Sequence, residues 1–503
     1  MLNVPSFADL NLGVALPVIF LGLFTMVLLL VDLFVPRERK HVTALVALGA
    51  LVVAFVINLL VFDSSEVALA DMFIADRFTG FVNLVVLVAG VLTVLISVDY
   101  LKRAGIEQGE YYTLLLLSIT GIMLMGAAND LIVIFIALEL LSIPLYVMAA
   151  MRLNDLKSEE SGIKYFILGA FASAFLVYGM AMIYGATGTT NLPAIFGAVE
   201  GIVAEASTSR LYLLLGAALV IVGLGFKVAA VPFHMWTPDV YEGAPTPVSA
   251  FMSVGAKAGG FAALLRVMTL ALPAFVIEAG DTATAWQTTV AIVAALTMIL
   301  GNVVAISQTN IKRLLAYSSI AHAGYILMAV AAAGTAGVSG SSINGALVYL
   351  LAYTFTNLGA FAVAIAIEKD DGSGTTLEDF VGLGRSKPLL AAMMAVFMFS
   401  LTGIPLTAGF IGKWLIFSAT VEAGLIWLAI VGVLTSVVSA YYYVRVIINM
   451  YLRDGEGSPA EGSTPLLNGA VYAAFAGTLL LGIFPILATN LLDGAQTAFL
   501  LVF

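Results

Sequence analysis

Glu139, Lys227, Lys257 and Lys413 stand in long stretches of the chain that are otherwise apolar. A charge in hydrocarbon costs roughly 2.5–3.5 kcal/mol on insertion scales, so side chains kept at that cost are expected to work. Their chemistry would be proton transfer. An amine withdrawn from water can take up and release a proton, and pairing with or separating from a carboxylate changes how firmly it holds that proton. His322, in LLAYSSIAHAGYIL, adds an imidazole, which titrates near neutrality. The plain alternatives are an ion pair that only holds helices together, or, for His322, a hydrogen-bonded core residue. Haem is disfavoured, because His234, near a helix end, is the only other membrane-region histidine that could serve as a second axial ligand.

Three secondary candidates are weaker. His234 and Asp239 lie with Glu242 in PFHMWTPDVYEGAPTP, a Pro-rich connector that reads as a rigid turn between two spans. Asp130 reads as a surface cap on the helix carrying Glu139. His41 falls in a charged loop.

The elements positioning these groups follow from composition. The 503 residues are 61% hydrophobic and 10% charged, with mean hydropathy +1.08; soluble domains carry about 25% charged residues. The fold class expected is an all-α integral membrane protein. Net charge −10 without a basic patch argues against nucleic acid. The absence of cysteine removes disulfides, thiolate-bound iron–sulfur clusters and a cysteine nucleophile. Three histidines are too few for a histidine-rich metal site, and no metal is expected. MLNVPSFADLNLG has no Lys or Arg before the first apolar run, so no cleaved leader is expected.

A bilayer core takes about 20 apolar residues per helix. Fourteen spans are expected, near 13–35, 41–62, 78–98, 111–128, 130–151, 161–186, 211–231, 246–272, 283–306, 313–334, 342–367, 388–421, 424–450 and 466–488. With both termini outside, fifteen of the 21 Lys and Arg fall on the cytoplasmic side. Arg77, Arg210 and Arg266 fall outside, and only Lys227, Lys257 and Lys413 remain within the membrane. Span seven has Gly223, Gly225 and Pro232 around Lys227; span twelve has Gly403, Pro405, Gly409 and Gly412 before Lys413. Both are expected to be broken, a pattern that points to a transport site between repeats. Lys413 lies 186 residues after Lys227, and His322 lies 183 after Glu139. Spans 4–8 (residues 110–272) and 9–13 (273–453) therefore read as two inverted five-helix repeats. Residues 1–109 carry three leading helices and 454–503 a final one.

Three segments carry a specific resemblance: PFHMWTPDVYEGAPTPVSAF, NIKRLLAYSSIAHAGY and GIPLTAGFIGKW. With them, the whole chain resembles the antiporter-like membrane subunits of respiratory complex I. It is most similar to the N-type branch, on MWTPDVYEGAPTP, on a lysine at 413 where M-type paralogues have glutamate, and on an end at Phe503 that leaves no room for the lateral helix of the L-type. The resemblance implies that Glu139, Lys227, Lys257, His322 and Lys413 form a proton path through a subunit of a proton-pumping NADH:quinone oxidoreductase. It implies no cofactor in this chain, with flavin, iron–sulfur clusters and quinone in partner subunits. The partners implied are a neighbouring antiporter-like subunit, small membrane subunits, protons and lipid, in a bacterial inner membrane. The alternatives are a subunit of a multisubunit sodium/proton antiporter and a scaffold whose charges are only structural.

Overall fold

The computed structural model describes residues 10–203, 208–272, 284–369, 372–455 and 464–492. The expectations for the leader, for the side of each terminus and for the end at Phe503 lie outside the described residues. Long apolar stretches become helices because lipid leaves backbone groups no partner other than their own helix. Helices α1 (Leu16–Asp32) and α2 (His41–Leu60) form a hairpin. A short antiparallel ribbon, β1 (Glu66–Ala68) and β2 (Phe73–Ala75), pairs Val67 with Ile74 and leads into α3 (Arg77–Arg103). Next come α4 (Glu110–Gly126), α5 (Leu131–Ala149), α6 (Leu156–Thr187), α7 (Leu192–Val203), α8 (Thr208–Val228) and α9 (Trp236–Gly243).

The stretch read as span eight is composite. It runs through α10 (Thr246–Phe251), a π-turn at Met252–Ala256, α11 (Lys257–Arg266) and a second π-turn at Val267–Ala271. The chain continues through α12 (Gln287–Ala305), α13 (Ile311–Ala332) and α14 (Ser339–Ile367). It ends with α15 (Leu383–Ser386), α16 (Pro388–Thr402), α17 (Ala408–Glu422), α18 (Ile426–Tyr451), α19 (Pro465–Ile483) and α20 (Ile486–Leu492). Among the described residues, eleven helices are long and apolar enough to cross a membrane; α1, α4 and α16 are shorter apolar helices.

Burial sorts these helices into two shells. The composite span Thr246–Ala271 is enclosed by protein on every side, and α13 and α14 nearly so. Helices α2, α6, α18 and α19 show most of their surface outward. The outer helices dock closely through small residues: a Cβ on Gly179 of α6 would stand 2.8 Å from the Gly216 carbonyl oxygen of α8. That contact admits no side chain and lets the backbones meet.

One expectation is corrected and another refined. Arg266 is not an outer-loop cation. It is fully buried at the end of α11, because Asp76, the N-cap of α3, grips it with two bonds of 2.7 Å. Span seven is interrupted at the segment that holds Pro232, between α8 and α9, while its glycines stay helical. Helix α8 runs through Gly223 and Gly225 to Val228, and the chain leaves the helix only after Lys227.

Candidate functional site

Both broken spans end their first half in the same way. Ala229, in the left-handed conformation (φ 63°), closes α8, and the Ala230 N–H bonds the Gly225 carbonyl at 2.8 Å. Gly403 (φ 94°) closes α16, and the Ile404 N–H bonds the Phe399 carbonyl at 3.0 Å. These are the capping bonds that satisfy a helix's last carbonyls. The lysines, however, sit on opposite sides of the breaks. Lys227 occupies the last turn before its break, and Lys413 the second turn after its own. The 186-residue offset aligns the lysines, not the breaks.

Lys227 is buried, and its Nζ donates to the Ser142 hydroxyl at 2.8 Å and the Tyr165 hydroxyl at 3.1 Å. Trp236, just past the break, stacks on Tyr165 at 4.5 Å and gives its indole N–H to the Phe226 carbonyl. The broken segment thereby positions the lysine's own partner. The expected Glu139–Lys227 ion pair is not closed. Glu139 accepts instead from Ser173 of α6 at 2.6 Å. Glu139 is half-exposed, on a face of α5 that also exposes Ile132, Ile136, Ile143 and Val147.

Lys257 follows the first π-turn, is buried, and donates to the Ser319 carbonyl of α13. Gly260, one turn on, leaves room for Lys227: a Cβ there would meet Lys227 Cγ at 3.3 Å. His322, one turn beyond Ser319, bonds the Tyr349 hydroxyl through Nδ1 and the Tyr443 hydroxyl through Nε2, the latter at 3.0 Å. Between His322 and the end of α16 lies a cavity of about 10 Å³ lined by Tyr349, Tyr353, Thr356 and Ser400, about the space of one water. Lys413 donates to the carbonyls of Leu401 (3.1 Å) and Thr402 (2.8 Å) and to the Ser436 hydroxyl (2.8 Å). Its ammonium lies 4.7 Å from the centre of the Tyr325 ring. Each of the three lysines is thus bonded to neutral oxygens, and His322 lies on α13, the helix whose Ser319 carbonyl holds Lys257.

The match that decides the family spans residues 128–439, which fit the profile of the NADH:quinone oxidoreductase/Mrp antiporter transmembrane family. The chain belongs to that family. It is 46% identical to NADH-quinone oxidoreductase subunit N of Trichlorobacter lovleyi, over 99% of this chain and 98% of that one. It is also 46% identical to subunit N 1 of Herpetosiphon aurantiacus, over 94% of each. Among solved structures, a chain of respiratory complex I from Thermus thermophilus with bound aureothin matches 94% of this chain and 98% of its own, at 35% identity and TM-score 0.78. A chain of the Mrp complex from Dietzia shares the fold (TM-score 0.80) at 21% identity.

For this family member, the secondary candidates lie off the line. Asp130 caps α5, accepting from the Ile132 N–H and the Thr190 hydroxyl at 2.8 Å each; it is buried rather than on the surface. His234 is half-buried in the break after α8. Asp239 accepts from Lys164 (2.7 Å) and Arg313 (2.8 Å), and Glu242 from Lys157 (2.9 Å) and Arg313 (3.0 Å). The connector therefore ties α6 to α13, not only span seven to span eight. Burial alone would raise both carboxyls, but the hydrogen bonds from Lys164, Lys157 and Arg313 hold them below the usual carboxylate range. Sequence reasoning missed Tyr165, Trp236, Tyr349 and Tyr443. The signal available was aromatic hydroxyls and an indole in otherwise apolar helices, where such polar tips need partners.

Proposed function

We propose that this chain is the N-type membrane subunit of a proton-translocating NADH-quinone oxidoreductase and carries protons while electron transfer proceeds in partner subunits. The observation that carries this reading is the neutral bonding of three buried lysines. A lysine kept only to bind helices together would be expected opposite a carboxylate, because an unpaired buried charge is expensive. Lys227, Lys257 and Lys413 have hydroxyls and carbonyls instead, which can serve the neutral and the charged amine alike.

In this reading Glu139 modulates Lys227 through Ser142 and Ser173, and release of the Glu139–Ser173 bond lets the carboxylate close on the lysine. The proton passes from Lys227 by Lys257 and His322 to Lys413 and leaves there on the outer side. The finer architecture belongs to the same proposal. There are fourteen spans, two inverted five-helix repeats at 110–272 and 273–453, both termini outside, and a bacterial inner-membrane location. The half-exposed Glu139 face is covered by a neighbouring membrane subunit. The 46% identity to proteins named as subunit N favours a redox-driven complex over a free-standing antiporter.

The test is Lys227→Ala in the assembled complex, reconstituted in sealed vesicles, with proton uptake measured per NADH oxidised. Normal assembly with a lowered proton yield is expected. An unchanged yield would overturn the reading in favour of a scaffold.

A further inference from the structure

Glu368 opens the hydrophilic stretch EKDDGSG, yet it is only 1% exposed, at the C-cap of α14. A carboxylate desolvated this far needs partners. Tyr100 of α3 donates to its Oε1 at 3.0 Å, and the Thr246 hydroxyl, at the start of α10, donates to its Oε2. Arg152, between α5 and α6, stands 3.9 Å from Oε1 and donates to the Tyr100 hydroxyl at 3.2 Å. The Arg152 side chain is 17% exposed, so it leads from surface water to the buried acid. Lys312, at the start of α13, is buried and gives its amine to the Ala244 carbonyl at 2.8 Å, two residues before Thr246. None of these groups belongs to the line from Glu139 to Lys413.

Inward of Glu368, polar side chains continue between α10 and α14. Thr246, Ser249 and Ser253 follow one another toward Lys257 at steps of about 4.5–6 Å along the helix axis. From α14, Asn357 donates to the Ser253 hydroxyl at 2.6 Å. Ser249 donates to the Tyr241 carbonyl at 2.7 Å. Tyr241 and Tyr353 are both buried, and Ser319 of α13 gives its carbonyl to Lys257. Among the described residues, the hydroxyls of Tyr241, Tyr353 and Ser319 and the side-chain carbonyl of Asn357 are buried without closing a hydrogen bond to protein. Buried polar atoms in this condition are satisfied by water. The cluster meets at Ser319, whose carbonyl holds Lys257, and at Ser253, one turn before that lysine, which leaves polar atoms for water along the column.

We propose that Glu368 is a second proton acceptor, feeding Lys257 through the polar column between α10 and α14, independently of Glu139 and Lys227. The inference rests on the pumping reading above and its orientation. The carboxylate takes a proton from water on the Arg152 side. The resulting acid hands that proton down the column, and the neutral Lys257 amine receives it. Arg152 and Lys312 balance the carboxylate left behind.

Glu368→Gln tests this in the assembled complex in sealed vesicles, because glutamine keeps one carbonyl oxygen for Tyr100 or Thr246 and its amide can donate to the other hydroxyl once that hydroxyl turns. The expected result is retained NADH oxidation in uncoupled vesicles, with a proton yield per NADH that falls as far as in Lys413→Ala. A pH-jump infrared difference spectrum should also lose a carboxyl protonation band, which a merely structural glutamate would not supply. An unchanged yield, or no band lost, overturns the inlet. If Lys413→Ala also leaves the yield unchanged, the pumping reading itself has failed; if only Lys413→Ala lowers it, the inlet alone has failed. Should Glu368→Gln not assemble, Ser253→Ala removes one step of the column without touching a charge, and full pumping by that variant overturns the proposal equally.

Discussion

Lys413 reaches back across the break in its own span to the carbonyl of Thr402, 2.8 Å away. The amine satisfies a carbonyl that helix α16 leaves open where it ends, so one side chain serves both the fold and the proton line. Gly403 makes this reach possible. Its φ of 94° suits glycine, and a Cβ there would stand 2.9 Å from Lys413 Cδ. Gly403→Ala is therefore expected to cost about 1–3 kcal/mol through backbone strain and to push the lysine off its carbonyls. Proton yield per NADH should fall even though no titratable group is removed. Unchanged yield and thermal stability in the purified complex would sink this account.

Tyr165 gives a gentler test of the other lysine. Tyr165→Phe keeps the ring stacked on Trp236 at 4.5 Å but removes a hydroxyl that Lys227 donates to. A lost bond to a charged group is worth about 1.5–3 kcal/mol. Assembly should be near normal while pumping slows. Equal pumping rates in vesicles would show that the hydroxyl does not hold the amine in place.

Arg266 and Asp76 form a buried pair in which each side chain is 1% exposed. The guanidinium also donates to the Gly126 carbonyl at 3.1 Å and the Thr79 hydroxyl at 2.9 Å. Removing one partner of such a pair costs about 3–5 kcal/mol, whereas replacing both by apolar groups costs far less. Arg266→Met alone should lower the yield of assembled complex sharply, and Arg266→Met with Asp76→Leu should recover part of it. A double variant as poor as the single one would rule out charge burial as the cause.

Asp239 and Glu242 predict a pH effect. Their carboxyls are held below the usual range in the folded chain, so their pairing adds stability above the unfolded carboxylate range and loses it as pH falls through the depressed values. Acid should loosen the contact of α6 with α13 first, before the enclosed helices. Hydrogen exchange at residues 157–164, followed from neutral to acidic pH, would detect it. Asp239→Asn should blunt the response, and an identical acid profile in that variant would remove the explanation.

The charges of the line were legible because lipid makes a lone lysine conspicuous in an apolar stretch. Lys227, Lys257 and Lys413 stand out on hydropathy alone. Arg266 did not, because it lies near a span end where a basic residue is ordinary. Its partner Asp76 is 190 residues away in sequence, out of reach of any local pattern. Glu368 was hidden for the converse reason. It opens a run of acidic and glycine residues that looks solvated, and only contacts with Tyr100 and Thr246, from distant helices, carry it inside. The breaks were legible where proline marks them, at Pro232 and at Gly403 with Pro405, but not every glycine nearby belongs to one. Gly223 and Gly225 weaken a helix in isolation, yet the packing of α8 against α6 keeps them helical, and the left-handed residue that ends α8 is Ala229.

The π-turn at Met252–Ala256 holds one surplus residue immediately ahead of Lys257. Each helical residue turns the chain by about 100° and advances it by about 1.5 Å. Passing that surplus residue to the far side of Lys257 would swing the lysine by about a quarter-turn without unwinding the helix. A wound defect of this kind works like a detent in a ratchet, and it stands where the two halves of the line meet.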